Sequence, residues 1–315
     1  MRGVDFLGAL LVVAALIAAP MLLPSNYYLG ILTLGLIYAI WAASWDFMSG
    51  LTGRMNLGQG LAFGVAAYVA ALLNTQASVS PWMNFPICVI VAVSIAIIVG
   101  FPTLRLRGPY FALATFAALI VMQRLALNLW QYTGAEEGIS GLSPLFRSRY
   151  ETYYFIATVS VCSVALLAWL ANGNLGMILR AIKGDEAACQ ASGLNVTFYK
   201  IVSLCISSAV GAVGGVLYAH FQRQVGPELL SMNLALTVVT MAFVGGAGSI
   251  YGGALAAILL SFGIEIMRSF GEWRLVVYGL ILLAVLFLLP NGVIQPAWNK
   301  IRSVFVRTSA GAEGH

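Results

Sequence analysis

The 315-residue chain is 61% apolar and only 9% charged, against about 25% charged in an average soluble domain. Its 16 Lys and Arg and 11 Asp and Glu cannot cover a water-facing surface of this size, which excludes a soluble globular enzyme and makes the bilayer the main solvent. The net charge of +5 is scattered between apolar runs instead of gathered on a polar domain, so it reads as membrane orientation and not as nucleic-acid binding.

A hydrocarbon core of about 30 Å needs roughly 17 to 25 mostly apolar residues per helix. In chain order such runs lie at Phe6–Leu23, Tyr27–Phe47, Leu57–Leu73, Phe85–Leu104, Pro109–Trp130 and Tyr153–Ala171. After a polar middle come Ile201–Phe221, a shorter pair at Leu229–Ala247 and Ile250–Met267, and finally Trp273–Pro290. The segment before Ala247 is short and runs into glycines, the pattern of a re-entrant or tilted half-span buried in protein. The expected fold is therefore all-α: a polytopic membrane protein of about ten transmembrane helices, with residues 1–300 as one transmembrane domain and 301–315 as a flexible tail. Arg2 ahead of the first run, with Ala18 and Ala19 near its end, also suits a cleaved signal; the run's length and its direct passage into another span favour a retained helix.

With ten spans, one side collects Arg2, Arg54, Arg105, Arg107, Arg180, Lys183, Lys200, Lys300, Arg302 and Arg307. The other receives Arg147, Arg149, Arg223, Arg268 and Arg274 together with Glu136, Glu137, Glu151, Glu228 and Glu272. The positive-inside rule then puts both termini in the cytoplasm. Residues 131–152 become an external loop, rich in Gly, Ser and aromatics, that suits either a soluble partner or an ordinary solvated cap. Residues 172–200 become a cytoplasmic loop.

No chemistry-bearing motif stands out. Cys88, Cys162, Cys189 and Cys205 lie far apart with no CxxC spacing, two histidines cannot build an HExxH site, and no GxxxxGK[ST] phosphate loop is present. Neither catalytic residues, a metal site nor a cofactor is expected, and any ATP must be bound by another chain.

The cytoplasmic loop reads GNLGMILRAIKGDEAACQASGLNVTFYK. Asp185 is placed as N-cap of a very short helix, Glu186 lies in its first turn near the positive end of the macrodipole, and Gly193 with Asn195 closes it. A helix this short is unstable alone in water, so something must hold it. Small side chains at Ala187, Ala188, Cys189, Ala191 and Ser192 permit close backbone approach and suit a groove on a cytoplasmic partner. The alternative, a connector lying on the lipid surface, calls for bulky apolar residues on one face, which this stretch lacks.

An acidic residue followed by Ala-Ala and then a glycine resembles the EAA loop of ABC-importer permeases, where such permeases meet their ATPases. GLTGRMNLGQGLAFGVAAY at 50–68, LRLRGPYFALAT at 104–115, TGAEEGISGL at 133–142 and FVGGAGSIYGGALAA at 243–257 resemble, in the family's order, branched-chain amino-acid (LivM-type) permease subunits. The family also carries urea, amides and small organic acids. One departure is Pro109, where a branched apolar residue is expected. The resemblance implies a permease subunit in a bacterial inner membrane, working beside a second, related but non-identical permease subunit, two ATP-binding cassette ATPases and a periplasmic solute-binding protein. It also implies ATPase coupling through Asp185, Glu186, Ala187, Ala188 and Gly193. The rival is a self-sufficient, ion-coupled secondary transporter.

Within the first block, Gly50, Gly53, Gly58 and Gly60 weaken helix continuity, and Asn56 and Gln59 share a face if the backbone there is helical. Interrupted backbone beside polar side chains can line a water-filled path, making Asn56, Gly58, Gln59 and Gly60 pathway candidates; equally, the amides cap a helix and Gly60 with Gly64 forms a GxxxG packing step. GGAGSIYGG reads as a packed, kinked turn between helices. Arg124 and Glu265 are the ionisable groups nearest the hydrocarbon; Arg124 is expected to snorkel outward and Glu265 to pair with Arg268. His220 is expected at the interface. Without a chain of buried carboxylates and histidines the spans suit a neutral path for a small zwitterion, with selectivity largely in the external capture protein.

Overall fold

The computed structural model describes residues 2–22, 25–106, 108–266 and 279. The first helices are α1 (Arg2–Leu22), α2 (Asn26–Trp45), which continues through a π-helical turn (Asp46–Gly50), α3 (Gln59–Thr75), α4 (Pro81–Thr103) and α5 (Pro109–Asn128). A short α6 (Trp130–Thr133) and strand β1 (Ile139–Ser140) precede α7 (Arg149–Asn172), α8 (Asn174–Gly184), α9 (Glu186–Ala191) and α10 (Val196–Gln222). Strand β2 (Gln224–Val225), a 3-10 turn (Pro227–Leu230), α11 (Met232–Gly245) and α12 (Tyr251–Ile266) complete the described chain. The strands form a two-residue antiparallel ladder with Ile139 opposite Val225.

Every apolar run up to Ile266 lies on a helix, so the all-α expectation holds. Among the described residues, α2 with its π turn, α4, α5, α7 and α10 are long and apolar enough to cross a membrane, whereas Val12–Leu22, α3, α11 and α12 are apolar but shorter. At about 1.5 Å per residue α11 spans about 21 Å, too little for a hydrocarbon core of about 30 Å. The tenth expected span, Trp273–Pro290, and the tail 301–315 lie outside the described residues.

The core forms around α2, against which α7, α10, α11 and α12 pack. Trp41, Trp45 and Phe47 of α2 and its π turn are fully buried, and the Trp41 ring stacks on Phe63 of α3 at 4.0 Å. Packing between elements follows small residues, as expected where lipid removes the hydrophobic drive between helices. On α4 the buried residues are Asn84, Cys88, Ala92, Ala96 and Gly100, one every fourth position. That single stripe faces α3 and α10, while Ile87, Ile90, Ile97, Ile98 and Phe101 stay exposed for lipid. On α10, a Cβ at Gly215 would collide with the Phe63 carbonyl, so α3 and α10 touch backbone to backbone.

Pro109 fits without strain. It occupies the first turn of α5, where its missing N–H costs no hydrogen bond, behind Gly108 at φ +58°. GGAGSIYGG is a turn, as expected: Gly246 and Gly248 have φ +103° and +92°, and Gly245 lies directly against Gly252 across the α11–α12 corner.

Candidate coupling surface and translocation path

The chain between α2 and α3 is held by side-chain bonds and not by helical periodicity. α3 begins at Gln59, so Asn56 lies outside the helix and does not share a helical face with it. The two amides nevertheless meet: Asn56 Nδ2 donates to Gln59 Oε1 at 3.3 Å, and Asn56 Oδ1 accepts from the Gly58 N–H at 2.9 Å. Trp45 Nε1 donates to the Asn56 carbonyl at 2.7 Å and Ser49 Oγ accepts from the Asn56 N–H at 3.1 Å. Gln59 Nε2 reaches Ser44 Oγ and the Ser207 carbonyl, tying α2, α3 and α10 together. Both side chains are buried.

Asn56, Gly58 and Gln59 line a cavity with Thr115, Leu204 and Ser208 whose volume is about 20 Å³, room for about one water. The space opposite Gly58 is filled by Thr115, at 2.8 Å from where a Cβ would sit. Gly60 faces Leu119 and Trp41, while Gly64 faces Leu230 and the Leu229 carbonyl. The GxxxG step is thus a packing surface for α5 and the 3-10 turn, and the amides bridge three helices beside a small cavity.

Asp46 is a buried charge that the sequence reading passed over. It is fully buried in the π turn, where Oδ1 accepts from the Gly248 N–H at 2.6 Å and Oδ2 from the Ile250 N–H at 2.8 Å. One carboxylate thereby fixes the α11–α12 corner to the end of α2. A Cβ at Gly50 would fall on that carboxylate, which explains glycine there. The signal available in the sequence was the acid itself, enclosed by apolar neighbours at the end of a predicted span.

At the same end of the bundle lie α8 and α9. Asp185 caps α9 as expected, with Oδ1 accepting from the Ala188 N–H at 3.0 Å. Gly193 takes φ +85° and the Leu194 N–H returns to the Cys189 carbonyl, closing the helix. Support that sequence reasoning assigned to a foreign surface comes in part from the chain itself: Cys189 packs with Ile182 and Val196, and Glu186 turns inward. Its carboxylate pairs with Arg54 at 2.7 Å and with Lys200 at 2.5 Å. Arg54 also donates to the Leu106 carbonyl, and Lys183 Nζ donates to the Gly50 carbonyl at 2.8 Å. Partial burial acts to raise the Glu186 pKa, but the hydrogen bonds from Lys200 and Arg54 outweigh it and hold the carboxyl below its usual range. Ala187, Ala188, Ala191 and Gly193 are exposed, leaving a smooth face of small residues.

Across the bundle, at the end carrying the β1–β2 ladder, His220 is buried and not at an interface. Its Nδ1 lies 2.8 Å from the Ser143 carbonyl, which can only accept, so Nε2 is left to accept from Asn84 Nδ2 at 3.3 Å. Arg124 is exposed near the end of α5, as expected of a snorkelling side chain. Glu265 accepts a hydrogen bond from the Tyr27 hydroxyl; Arg268, its expected mate, lies outside the described residues.

Residues 27–286 match the family described as branched-chain amino acid transport system / permease component. The chain belongs to this family. Among the permease's relatives, the high-affinity branched-chain amino acid transport system permease protein LivM of Escherichia coli is 31% identical over 92% of this chain and 74% of its own length. LivM of Salmonella typhimurium is 30% identical over the same shares. LivH of Escherichia coli, a permease protein of the same description, is 24% identical over 85% of this chain and 95% of its own. A solved structure, PsaBC from Streptococcus pneumoniae in complex with Fab, aligns over 89% of this chain and 97% of that one at 16% identity, with a TM-score of 0.47.

The permease thus gathers the expected Asp185, Glu186, Ala187, Ala188 and Gly193 into one short helix and its cap, and Asn56, Gly58, Gln59 and Gly60 into one helix junction. Around them lie Asp46, Arg54, Lys183 and Lys200: Arg54, two residues before Asn56, pairs with Glu186, and Lys183 reaches the Gly50 carbonyl. Glu186 and Arg54 are separated by 132 residues and Asp46 and Gly248 by 202, so no local pattern announces either contact.

Proposed function

We propose that this chain is a permease subunit of an ATP-driven ABC importer for branched-chain amino acids, seated in a bacterial inner membrane with both termini in the cytoplasm. The family match over residues 27–286 carries the reading, and the 30–31% identical relatives narrow the cargo to branched-chain amino acids. Similarity to both LivM and LivH supports a second, related but non-identical permease subunit as its partner. Two ATPase subunits and a periplasmic solute-binding protein complete the assembly.

The structure supports α9 as the coupling helix. A groove on one of the two ATPases receives the small-residue face of Ala187, Ala188 and Ala191, and Gly193 leaves room behind it. Movement of α9 passes through Glu186 to Arg54 and through Lys183 to Gly50, and so reaches the Asn56–Gln59 junction and the Asp46 clasp. These contacts convert a push on a short helix into a shift at the helix junction beside the cavity.

The test is uptake of labelled leucine, isoleucine and valine by the complete complex in liposomes. Uptake that requires ATP and the binding protein is expected. Uptake by this chain alone under an ion gradient supports the secondary-transporter rival, and transport of urea, amides or organic acids in place of branched-chain amino acids moves the permease to another branch of the class.

A further inference from the structure

After α10 ends at the left-handed Arg223, the chain does not stay at the rim. β2 pairs with β1 in the loop, and the 3-10 turn then descends between α3 and α5. Gln123 Nε2 of α5 donates to the Pro227 carbonyl at 3.2 Å, and Leu230 fits against Gly64, where a Cβ would come within 2.5 Å of its side chain. Gly64 lies about 16 Å of helix rise below the Thr75 end of α3, so α11 starts inside the bundle, which accounts for its short length. Glu228 is carried on this descending turn. The positive-inside reading placed it in an external loop; the structure sinks it.

The described surroundings of Glu228 include acceptors and aromatic faces. It is exposed in the isolated chain and has no ion-pair partner among the described residues. Its carboxylate lies within electrostatic reach of the hydroxyls of Tyr38, Tyr68 and Tyr218. The Tyr68 side chain is 6% exposed, yet its hydroxyl has no hydrogen-bond partner among the described residues. Behind these groups Tyr218 packs edge-on to Phe63 at 5.7 Å, and Phe63 stacks on Trp41. A carboxylate below the rim of a membrane bundle is costly unless it meets a cation or water. A single carboxylate beside phenols and aromatic faces fits an organic ammonium, which one charge and π faces suffice to bind.

We propose that Glu228, on the turn descending between α3 and α5, receives the ammonium group of the transported amino acid, with the Tyr68 hydroxyl as a second acceptor. The proposal rests on the functional reading above and deepens it: capture outside is followed by a charge-assisted contact inside, where the zwitterion's amine leads. One contact of this kind is strong enough to orient the solute and weak enough to release it.

The experiment uses the complete complex, assembled with wild-type or Glu228→Gln permease. Leucine uptake is measured in liposomes, and binding of labelled leucine to the detergent-purified complex without binding protein is challenged with 3-methylbutylamine or 4-methylpentanoate. For Glu228→Gln, uptake kcat/KM is expected to fall about tenfold or more, the scale of one charge-assisted hydrogen bond. Competition by the amine disappears while competition by the carboxylate persists. Glu228→Asp restores most of the uptake, and Tyr68→Phe falls by about tenfold, the scale of a hydrogen bond to a charged group.

Wild-type behaviour of Glu228→Gln overturns the inference and leaves the importer assignment standing, as does equal loss of both competitors. Loss of the second permease subunit on purification of Glu228→Gln also overturns it, by making the carboxylate an assembly contact. A wild-type complex that transports no ammonium-bearing solute overturns the inference and the assignment together.

Discussion

At the α9 end of the bundle Asp46, Arg54, Lys183, Glu186 and Lys200 are each bonded to a group elsewhere in the chain. At the β-ladder end, by contrast, among the described residues Glu228 has no ion-pair partner and the buried Tyr68 hydroxyl and Asn84 Oδ1 lack hydrogen-bond partners. Charges that satisfy one another fix a geometry and can transmit displacement. Polar groups left with spare capacity can take up a solute and let it go. One end suits the proposed joint, and the other suits the proposed solute contact.

The largest break in this contrast is expected from Asp46→Leu. It strips the buried Ile250 N–H, worth about 1–3 kcal/mol when left unsatisfied, and the part-buried Gly248 N–H of their acceptor, and unpins the α11–α12 corner. A sharp fall in the thermal midpoint of the purified permease is expected, read by reaction of buried Cys88 with a thiol dye on heating. Glu228→Leu in the same assay should leave the midpoint nearly unchanged, since its side chain is exposed and forms no ion pair among the described residues; a fall as large as that of Asp46→Leu would erase the distinction between the two ends.

Next in size is Glu186→Gln. The pair is partly exposed, so its contribution to stability is limited to about 1 kcal/mol or less, but the link from α9 to Arg54 is weakened. ATP-driven uptake should drop severalfold, with ATP hydrolysis continuing and solute capture unchanged. Uptake in step with hydrolysis in this variant would disconnect α9 from the helix junction.

Acid titration sharpens the same point. The Glu186 pKa is lowered in the folded chain, so its stabilising effect is fully present above the unfolded value of about 4.3 and is lost as pH falls through the lower folded value. The difference in thermal midpoint between wild type and Glu186→Gln should be constant at neutral pH and shrink only in strong acid. A difference that vanishes between pH 6 and 7 would contradict the ion pair.

The smallest effect is expected from Gly193→Ala. Space is open there, but φ is +85°, so the cost is confined to about 1 kcal/mol of backbone strain at the end of α9. The checkable result is a small loss of midpoint with uptake retained; Gly193→Trp, which adds bulk to the presented face, should instead block association with the ATPase.

Much of this arrangement was readable from composition and local spacing. Each apolar run through Ile266 became a helix, the Asp185 cap and the Gly193 stop have local chemical causes, and the short run before Ala247 announced a partial span. What escaped were contacts without a local period. Asn56 and Gln59 meet through an Asx-type turn and not through a shared helical face. Glu186 finds Arg54 only once α3, α5 and α8 are packed, and the depth of Glu228 depends on Gly64 offering Leu230 a seat. His220 resembled a rim residue because its position in α10 is near the end of the span, yet the loop carrying Ser143 folds over it.

The bare contact between Gly215 and the Phe63 carbonyl sets a limit on how this molecule can move. With no side chain between them to slide or change rotamer, α3 and α10 have no lubricating layer, and shear along that seam is blocked by hard-core repulsion. A motion that preserves this contact carries the two helices together, with bending available at the positive-φ glycines Gly53 and Gly246–Gly248, both at the α9 end of the bundle.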